Sequence, residues 1–434
     1  MAATEELEIV KGAERTDKNA ENGKRFTRVR FFALLAVLGP GLLAGLADDD
    51  PAGITTYSQL GAGYGYQLIW VLTISTAALI LFQQLVARIG VVTGQGLTGL
   101  IRQKFGARAA LLAIIALLIA NIGTMAAEFA GIAAGFQLFG VNKYISVPLA
   151  GVLVTFLVLR GGFRIVERIL LVLSAVFICY IAAGFTTGVD WLSAAQGAVV
   201  PTMPINRDAI IIAAATLGTT LAPWGLAFIQ SYVVDKRLTV KDMKYLRVDV
   251  WVGALLTGII GFFVIVTCAS TLNEQGINVI TDAAQAASAL EPLAGKLATV
   301  LFGVGLIGAA LLAASILPLS TAYSVADLTG QPAGLDDKIK QAPLFYGAFA
   351  LVTVLGIAIV LIPGISLVPV LVLTQVINAV LLLPLLIFMV GISRDRRVMG
   401  EFTPSKTMNV VYVVAIVIIA ASIAILAYAT FFMQ

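Results

Sequence analysis

The sequence predicts an all-α polytopic membrane protein of about eleven transmembrane helices, ten of them forming two five-helix repeats of inverted topology. Three observations predict it. Of 434 residues, 59% are hydrophobic and only 12% charged, with mean hydropathy +0.98, more apolar surface than one soluble core can hide. The apolar residues come in continuous runs of about 20, not in alternation, so each run satisfies its own backbone as a helix and a β-barrel is excluded. Two of these runs, five apart, are broken near the middle by a proline.

Residues 1–24 are polar and charged, lack the apolar core of a cleavable leader, and read as a disordered cytoplasmic tail. The spans follow near 31–61, 64–90, 108–138, 144–160, 163–188, 206–234, 248–271, 296–327, 342–362, 366–392 and 408–432. Spans 1–5 make the first repeat (25–188), spans 6–10 the second (206–392), and span 11 (408–432) stands alone. All 28 Lys and Arg except Lys143, Arg207 and Lys296 fall before span 1 or on every second loop after it. Basic residues favour the cytoplasmic side, so the N-terminus is expected inside and the C-terminus outside, in the cell's inner membrane. The net charge of +4 then reports this basic rim and not nucleic-acid binding. Cys179 and Cys268 fall inside spans 5 and 7, where they read as small buried hydrophobes and not as a disulfide framework.

Span 1 is longer than one crossing needs and is interrupted by "DDDPAG", Asp48 to Gly53. Pro51 removes an N–H and clashes one turn back while Gly53 loosens the chain, so the helix is expected to break over 48–53. Span 6 is interrupted at Ala222, Pro223, Trp224 and Gly225. Matching breaks an odd number of spans apart are the pattern of inverted-repeat secondary transporters, whose binding site lies where the broken helices meet. Unwound carbonyls and half-helix C-termini there suit a cation. A carboxylate facing lipid at mid-membrane costs at least ~2.5 to 3.5 kcal/mol, so Asp48, Asp49 and Asp50 are expected to face a watery site. The alternative is that span 1 ends at Leu46 and the aspartates cap an external loop.

"GPGLLAGLADDDPAGITTYSQLGAGYGYQLIW" and "TLGTTLAPWGLAFIQS" resemble spans 1 and 6 of the NRAMP divalent-metal transporters, in an order and spacing that extends over most of the chain. The resemblance implies a LeuT-like fold. It also implies metal ligands at Asp50, at the Ala47 and Thr219 carbonyls, and at positions 53 and 222. The family has asparagine and methionine at those last two, and this chain has Gly53 and Ala222. That departure resembles the NRAMP-related magnesium transporters of prokaryotes. Alanine removes a soft thioether and glycine a second oxygen, leaving a roomy anionic site that suits Mg²⁺, an ion that keeps several waters and uses one or two carboxylates. The expected cargo is therefore Mg²⁺, with Mn²⁺ as a second cargo, carried inward down its electrochemical gradient.

Around that core, Asp49 reads as a direct or indirect ligand. Asp48 reads as a contact or as a vestibule charge concentrating cations. In a helix, Asp49 and Asp48 point ~100° and ~200° away from Asp50, so the three cannot bind one ion without unwinding. Gln375 and Asn378, one turn apart in span 10, either offer amide oxygens to a hydrated ion or hold helices together. Glu128 in span 3 is either a packed carboxyl or part of the ion path. Trp224 fills space or makes a cation-π contact.

The NRAMP proton route carries an aspartate where this chain has Met125 and a histidine where it has Ile229, and the chain has no histidine at all. Uniport without proton coupling is thus expected, the alternatives being a proton-coupled Mn²⁺/Fe²⁺ symporter and, more remotely, a receptor or sensor. No enzyme motif or cofactor signature appears. The expected partners are the divalent ion and the bilayer, with the chain a monomer.

Overall fold

The computed structural model describes residues 39–159, 175–331 and 339–433, and among these every regular element is helical. The tail at 1–24 and the first half of span 5 lie outside the described residues. In chain order the principal helices are α1 (Pro40–Asp48), α2 (Pro51–Tyr64), α3 (Ile69–Thr93), α4 (Leu97–Phe105), α5 (Ala107–Gln137) and α6 (Lys143–Leu159). Next come α7 (Cys179–Thr186), α8 (Trp191–Val199), α9 (Arg207–Thr220) and α10 (Pro223–Asp235). Finally come α11 (Met243–Cys268), α12 (Ala298–Thr329), α13 (Pro343–Val360), α14 (Leu367–Ser393) and α15 (Lys406–Phe432). The chain is an all-α polytopic membrane protein.

Among the described residues, eight helical stretches are long and apolar enough to cross a membrane, against eleven expected. The shortfall has three sources. Span 1 is split into the short helices α1 and α2, span 4 is the 17-residue α6, and only the end of span 5 is described, as α7. Span 6 is also split, into α9 and α10.

Both breaks are narrower than expected. Only Asp49–Asp50 and Leu221–Ala222 lie outside helix, and both second halves start on a proline. Proline at the first helical position has the right φ and lacks an N–H that would be unpaired there anyway. Pro51 and Pro223 thus restart helices, and Gly53, Trp224 and Gly225 sit in the new first turns instead of in unwound chain.

The broken helices are wrapped by long ones. α11 packs on α1, α2 and α3, while α5 packs on α12, α13 and α14; α9 lies on α14, and α10 on α3 and α12. Small residues set the closest approaches. A Cβ at Gly45 on α1 would stand 2.5 Å from the Gly253 carbonyl of α11. A Cβ at Gly131 on α5 would overlap the Pro51 ring, so that glycine lets α5 sit directly against the start of α2. At the periphery α15 buries Tyr412, Ile419, Leu426 and Ala429, one stripe at helical spacing, and leaves Val410, Val417 and Ile425 outward. A helix apolar all round with one buried stripe is covered by lipid on its other faces. Cys268 is buried and Cys179 half-buried, and both thiols are free.

One feature of α1 escaped the sequence. Its N-cap, Gly39, has no side chain to cap with. The carboxylate of Asp249, on α11, does this instead: Gly41 N donates to Oδ2 at 2.6 Å and Leu42 N to Oδ1 at 3.1 Å. Asp249 is fully buried. Asp249→Ala leaves these helix-start N–H groups without their acceptor, at about 1 to 3 kcal/mol each. Thermal unfolding in detergent should therefore show a marked loss for Asp249→Ala and a smaller one for Asp249→Asn, which keeps an acceptor.

Candidate functional site

The two breaks meet inside the bundle. Asp48 ends α1, and Asp49 follows it with φ −80° and ψ 48°, outside both helices. Asp50, extended at φ −80° and ψ 171°, is the N-cap of α2, its Oδ1 accepting from Gly53 N at 2.6 Å. Exposures of 2%, 2% and 4% for the three aspartates rule out the alternative that they cap an external loop. Asp48 is not on an open vestibule either: its Oδ1 faces Gly225, in the first turn of α10.

Gly53 is where the donors converge. A Cβ there would lie 2.9 Å from the Asp48 carbonyl oxygen, 3.3 Å from Asp50 Oδ1 and 3.3 Å from Thr219 Oγ1. Thr219 and Ala47 both fall in the last turn of their helices, α9 and α1, where carbonyls lack an intrahelical partner. The oxygens at the breaks are poorly satisfied. Asp48 Oδ1, both oxygens of Asp49 and Thr219 Oγ1 are buried without a hydrogen-bond partner. The Ala222 carbonyl, by contrast, already accepts from Gly225 N at 3.2 Å, and the side chain at 222 is a methyl with no donor atom.

Glu128 is fully buried on α5, one turn before the Gly131 that receives Pro51. That register turns it toward Asp50. Neither Glu128 oxygen has a hydrogen-bond partner, and two ionised carboxylates, acceptors only, could supply none to each other.

On α14 the two amides divide. Gln375 Oε1 accepts from Asn378 Nδ2 at 3.0 Å, and the same Nδ2 reaches Thr124 Oγ1 on α5 at 2.9 Å. The Gln375 oxygen expected to serve an ion is thus engaged, and Asn378 ties α14 to α5 while its own Oδ1 has no partner. Trp224 is 1% exposed with its ring 6.4 Å from Phe228, and its carbonyl accepts from Ser320 Oγ at 3.0 Å. It packs between α10 and α12. Met125 and Ile229 are fully buried apolar residues, as their side chains require.

The electrostatics are one-sided. Among the described residues the buried charged side chains are Asp48, Asp49, Asp50, Glu128 and Asp249, and no Lys or Arg is buried. Among the described residues no three carboxylates converge as a ready-made metal cluster. The breaks therefore offer one capped carboxylate, a second with both oxygens unpaired, a threonine hydroxyl and helix-end carbonyls. This is a hard, all-oxygen donor set in low dielectric, and it fits a partly hydrated divalent cation. The Thr219 hydroxyl was not legible beforehand, because only its carbonyl was suggested by the span 6 pattern.

Residues 41–429 match the family described as natural resistance-associated macrophage protein-like, Nramp. The divalent metal cation transporter MntH of Erwinia tasmaniensis is 31% identical over 68% of this chain and 72% of its own length. The MntH of Pectobacterium carotovorum subsp. carotovorum is 30% identical over 86% and 89%. Among solved structures, the Eremococcus coleocola manganese transporter superposes with a TM-score of 0.73 at 18% identity, covering 92% of this chain and 87% of that one. Mhp1, a nucleobase-cation-symport-1 family transporter, gives 0.56 at 15% identity over 92% and 94%. The fold is LeuT-like.

Proposed function

The chain belongs to the Nramp family, and from that premise we propose that it is a secondary transporter carrying Mn²⁺ into the cytoplasm through the meeting point of its two helix breaks. The expectation of Mg²⁺ as cargo is withdrawn. The relatives bear the names of divalent metal cation and manganese transporters, and the donor chemistry does not argue against them. An octahedral oxygen set suits Mn²⁺ as well as Mg²⁺, so the loss of a methionine at 222 disfavours soft metals without selecting magnesium.

In this reading Asp50 is the anchoring ligand, joined by Asp49, by the Thr219 hydroxyl and by the Ala47 and Thr219 carbonyls, with waters completing the shell. Gly53 and Ala222 leave room for those waters. Asp48 and the Asn378 oxygen act beyond the first contacts, and Gln375 and Trp224 hold the walls. Residues 25–188 and 206–392 act as inverted repeats that rock around this point, with the helix at 408–432 outside both. The N-terminus lies in the cytoplasm and the chain in the inner membrane, following the distribution of basic residues.

The observation that carries the proposal is the buried, uncompensated set of carboxylates at the breaks. Four acidic side chains without a buried cation cannot all stay ionised, so the missing positive charge is a cargo ion or a proton. The relatives' names leave the expected uniport untested, and the charge balance at the breaks favours coupling instead. In this reading Mn²⁺ arriving at Asp50 moves the proton held there to Glu128, which releases it to the cytoplasmic side as the ion leaves, so metal and proton are coupled without any histidine.

The test is Mn²⁺ uptake into proteoliposomes at fixed membrane potential with lumen pH followed in parallel. Mn²⁺-dependent uptake with acidification, the acidification lost in Glu128→Gln, is the expected result. Absence of Mn²⁺ uptake by the unaltered chain sinks the proposal, and uptake without acidification sinks its coupling. With no thioether at 222, Cd²⁺ should compete no better than Mn²⁺ itself, and a strong Cd²⁺ preference in competition assays would contradict the all-oxygen site.

A further inference from the structure

A second polar track leaves the break along α10 and α12. Ser320 Oγ donates to the Trp224 carbonyl at 3.0 Å, Ser324 Oγ to the Ser320 carbonyl at 2.8 Å, and Asp327 lies on the same face of α12. Opposite, on α10, Ser231 sits seven residues after Trp224 with its hydroxyl facing Asp327. Seven residues of helix advance ~10 Å. The track thus ends near Asp235, the cytoplasmic end in the orientation proposed above.

Asp327 is an odd residue to find there. Its carboxylate rests on Gly96, the residue before α4, where a Cβ would overlap it. Its Oδ2 is buried without a hydrogen-bond partner. Ser231 is 5% exposed, and although it faces the carboxylate its hydroxyl makes no hydrogen bond of ordinary geometry. Gln230, fully buried, donates Nε2 to the Gln95 carbonyl at 3.0 Å, beside Gly96, and leaves Oε1 without a partner. Among the described residues no Lys or Arg pairs with Asp327. Arg102 donates to the Leu328 carbonyl at 2.8 Å, and Lys104 pairs with Asp395 at 2.9 Å. Asp249 shows the contrast: a structural carboxylate in this protein takes backbone donors on both oxygens.

We propose that Asp327, Ser231 and Gln230 form a second, weaker divalent-cation site, where an ion released from the breaks pauses before reaching the cytoplasm. The inference rests on the Mn²⁺ reading above. One carboxylate with neutral oxygens binds a mostly hydrated ion, and weak binding on the exit side lets the ion leave instead of trapping it. Asp327 is partly open to solvent, so such an ion has a way out.

The test is Mn²⁺ titration of the purified full chain, read by the electron paramagnetic resonance of free Mn²⁺, alongside proteoliposome uptake. Two classes of bound ion are expected. Asp50→Asn loses the tighter and keeps the weaker, whereas Asp327→Asn loses the weaker, keeps the tighter and slows maximal uptake about 10-fold with half-saturation unchanged. Ser231→Ala, a small change that spares the packing, weakens the second class about 3-fold, on the low side for loss of one neutral donor. A folded Asp327→Asn whose isotherm superimposes on the unaltered chain overturns the inference. If the unaltered chain carries no Mn²⁺, the transport reading fails by itself, and the weak class is still judged by whether Asp327→Asn removes it from the Asp50→Asn background.

Discussion

Asp50→Asn is expected to abolish Mn²⁺ uptake while leaving the protein as stable as before. The two effects separate because Asp50 does two jobs with one carboxyl group. It caps α2 through Gly53 N, and in the proposed mechanism it is the charged ligand of the ion. Asparagine caps a helix about as well as aspartate, so thermal unfolding should move by no more than a few tenths of a kcal/mol. The negative charge and its ligand strength are lost, and uptake should fall by ~100-fold or more, to the level of empty liposomes. Asp50→Ala is the harsher comparison. It removes cap and charge together, so it loses transport and also about 0.5 to 2 kcal/mol of stability. Uptake by folded Asp50→Asn at wild-type rates would place the ion elsewhere in the bundle.

The helices were legible in the sequence because membrane spans are long, apolar and bounded by polar or basic residues. Spans 3, 8 and 10, expected at 108–138, 296–327 and 366–392, are helices at Ala107–Gln137, Ala298–Thr329 and Leu367–Ser393. The breaks were legible because a proline beside three carboxylates has few places to go in a membrane. Their width was misjudged: a proline read as ending a helix also begins one, and both Pro51 and Pro223 do so. What stayed hidden depends on distance in sequence. Asp249 caps a helix 208 residues away, and Asp327 meets Gly96 and Ser231 only because α4, α10 and α12 converge. No local pattern marks either residue. The choice of metal failed for another reason: a missing soft ligand excludes soft metals but does not choose among the hard ones.

Gly53→Ala is expected to weaken Mn²⁺ binding at least about 10-fold, to cut uptake in proportion, and to cost some stability as the end of α1 is pushed aside. In sequence Gly53 looked like a loosening of the chain, and also like a ligand lost by comparison with asparagine at that position. The structure gives it a third character. It lies in the first turn of α2, where alanine is the better helix former by up to about 1 kcal/mol, and its backbone needs no left-handed conformation. Against that gain stands a methyl 2.9 Å from the Asp48 carbonyl oxygen and 3.3 Å from both Asp50 Oδ1 and Thr219 Oγ1. The methyl occupies the space these oxygens surround, where the ion and its waters would sit. The two side-chain oxygens give by a few tenths of an ångström, the Asp48 backbone has to shift, and the donor set loses its centre. Asparagine at 53 is larger still, so adding it together with methionine at 222 should not build a working soft-metal site unless the end of α1 moves aside. Isothermal titration and uptake on the same preparation decide the matter. Alanine binding Mn²⁺ as tightly as glycine would mean that the oxygens around residue 53 do not hold the ion.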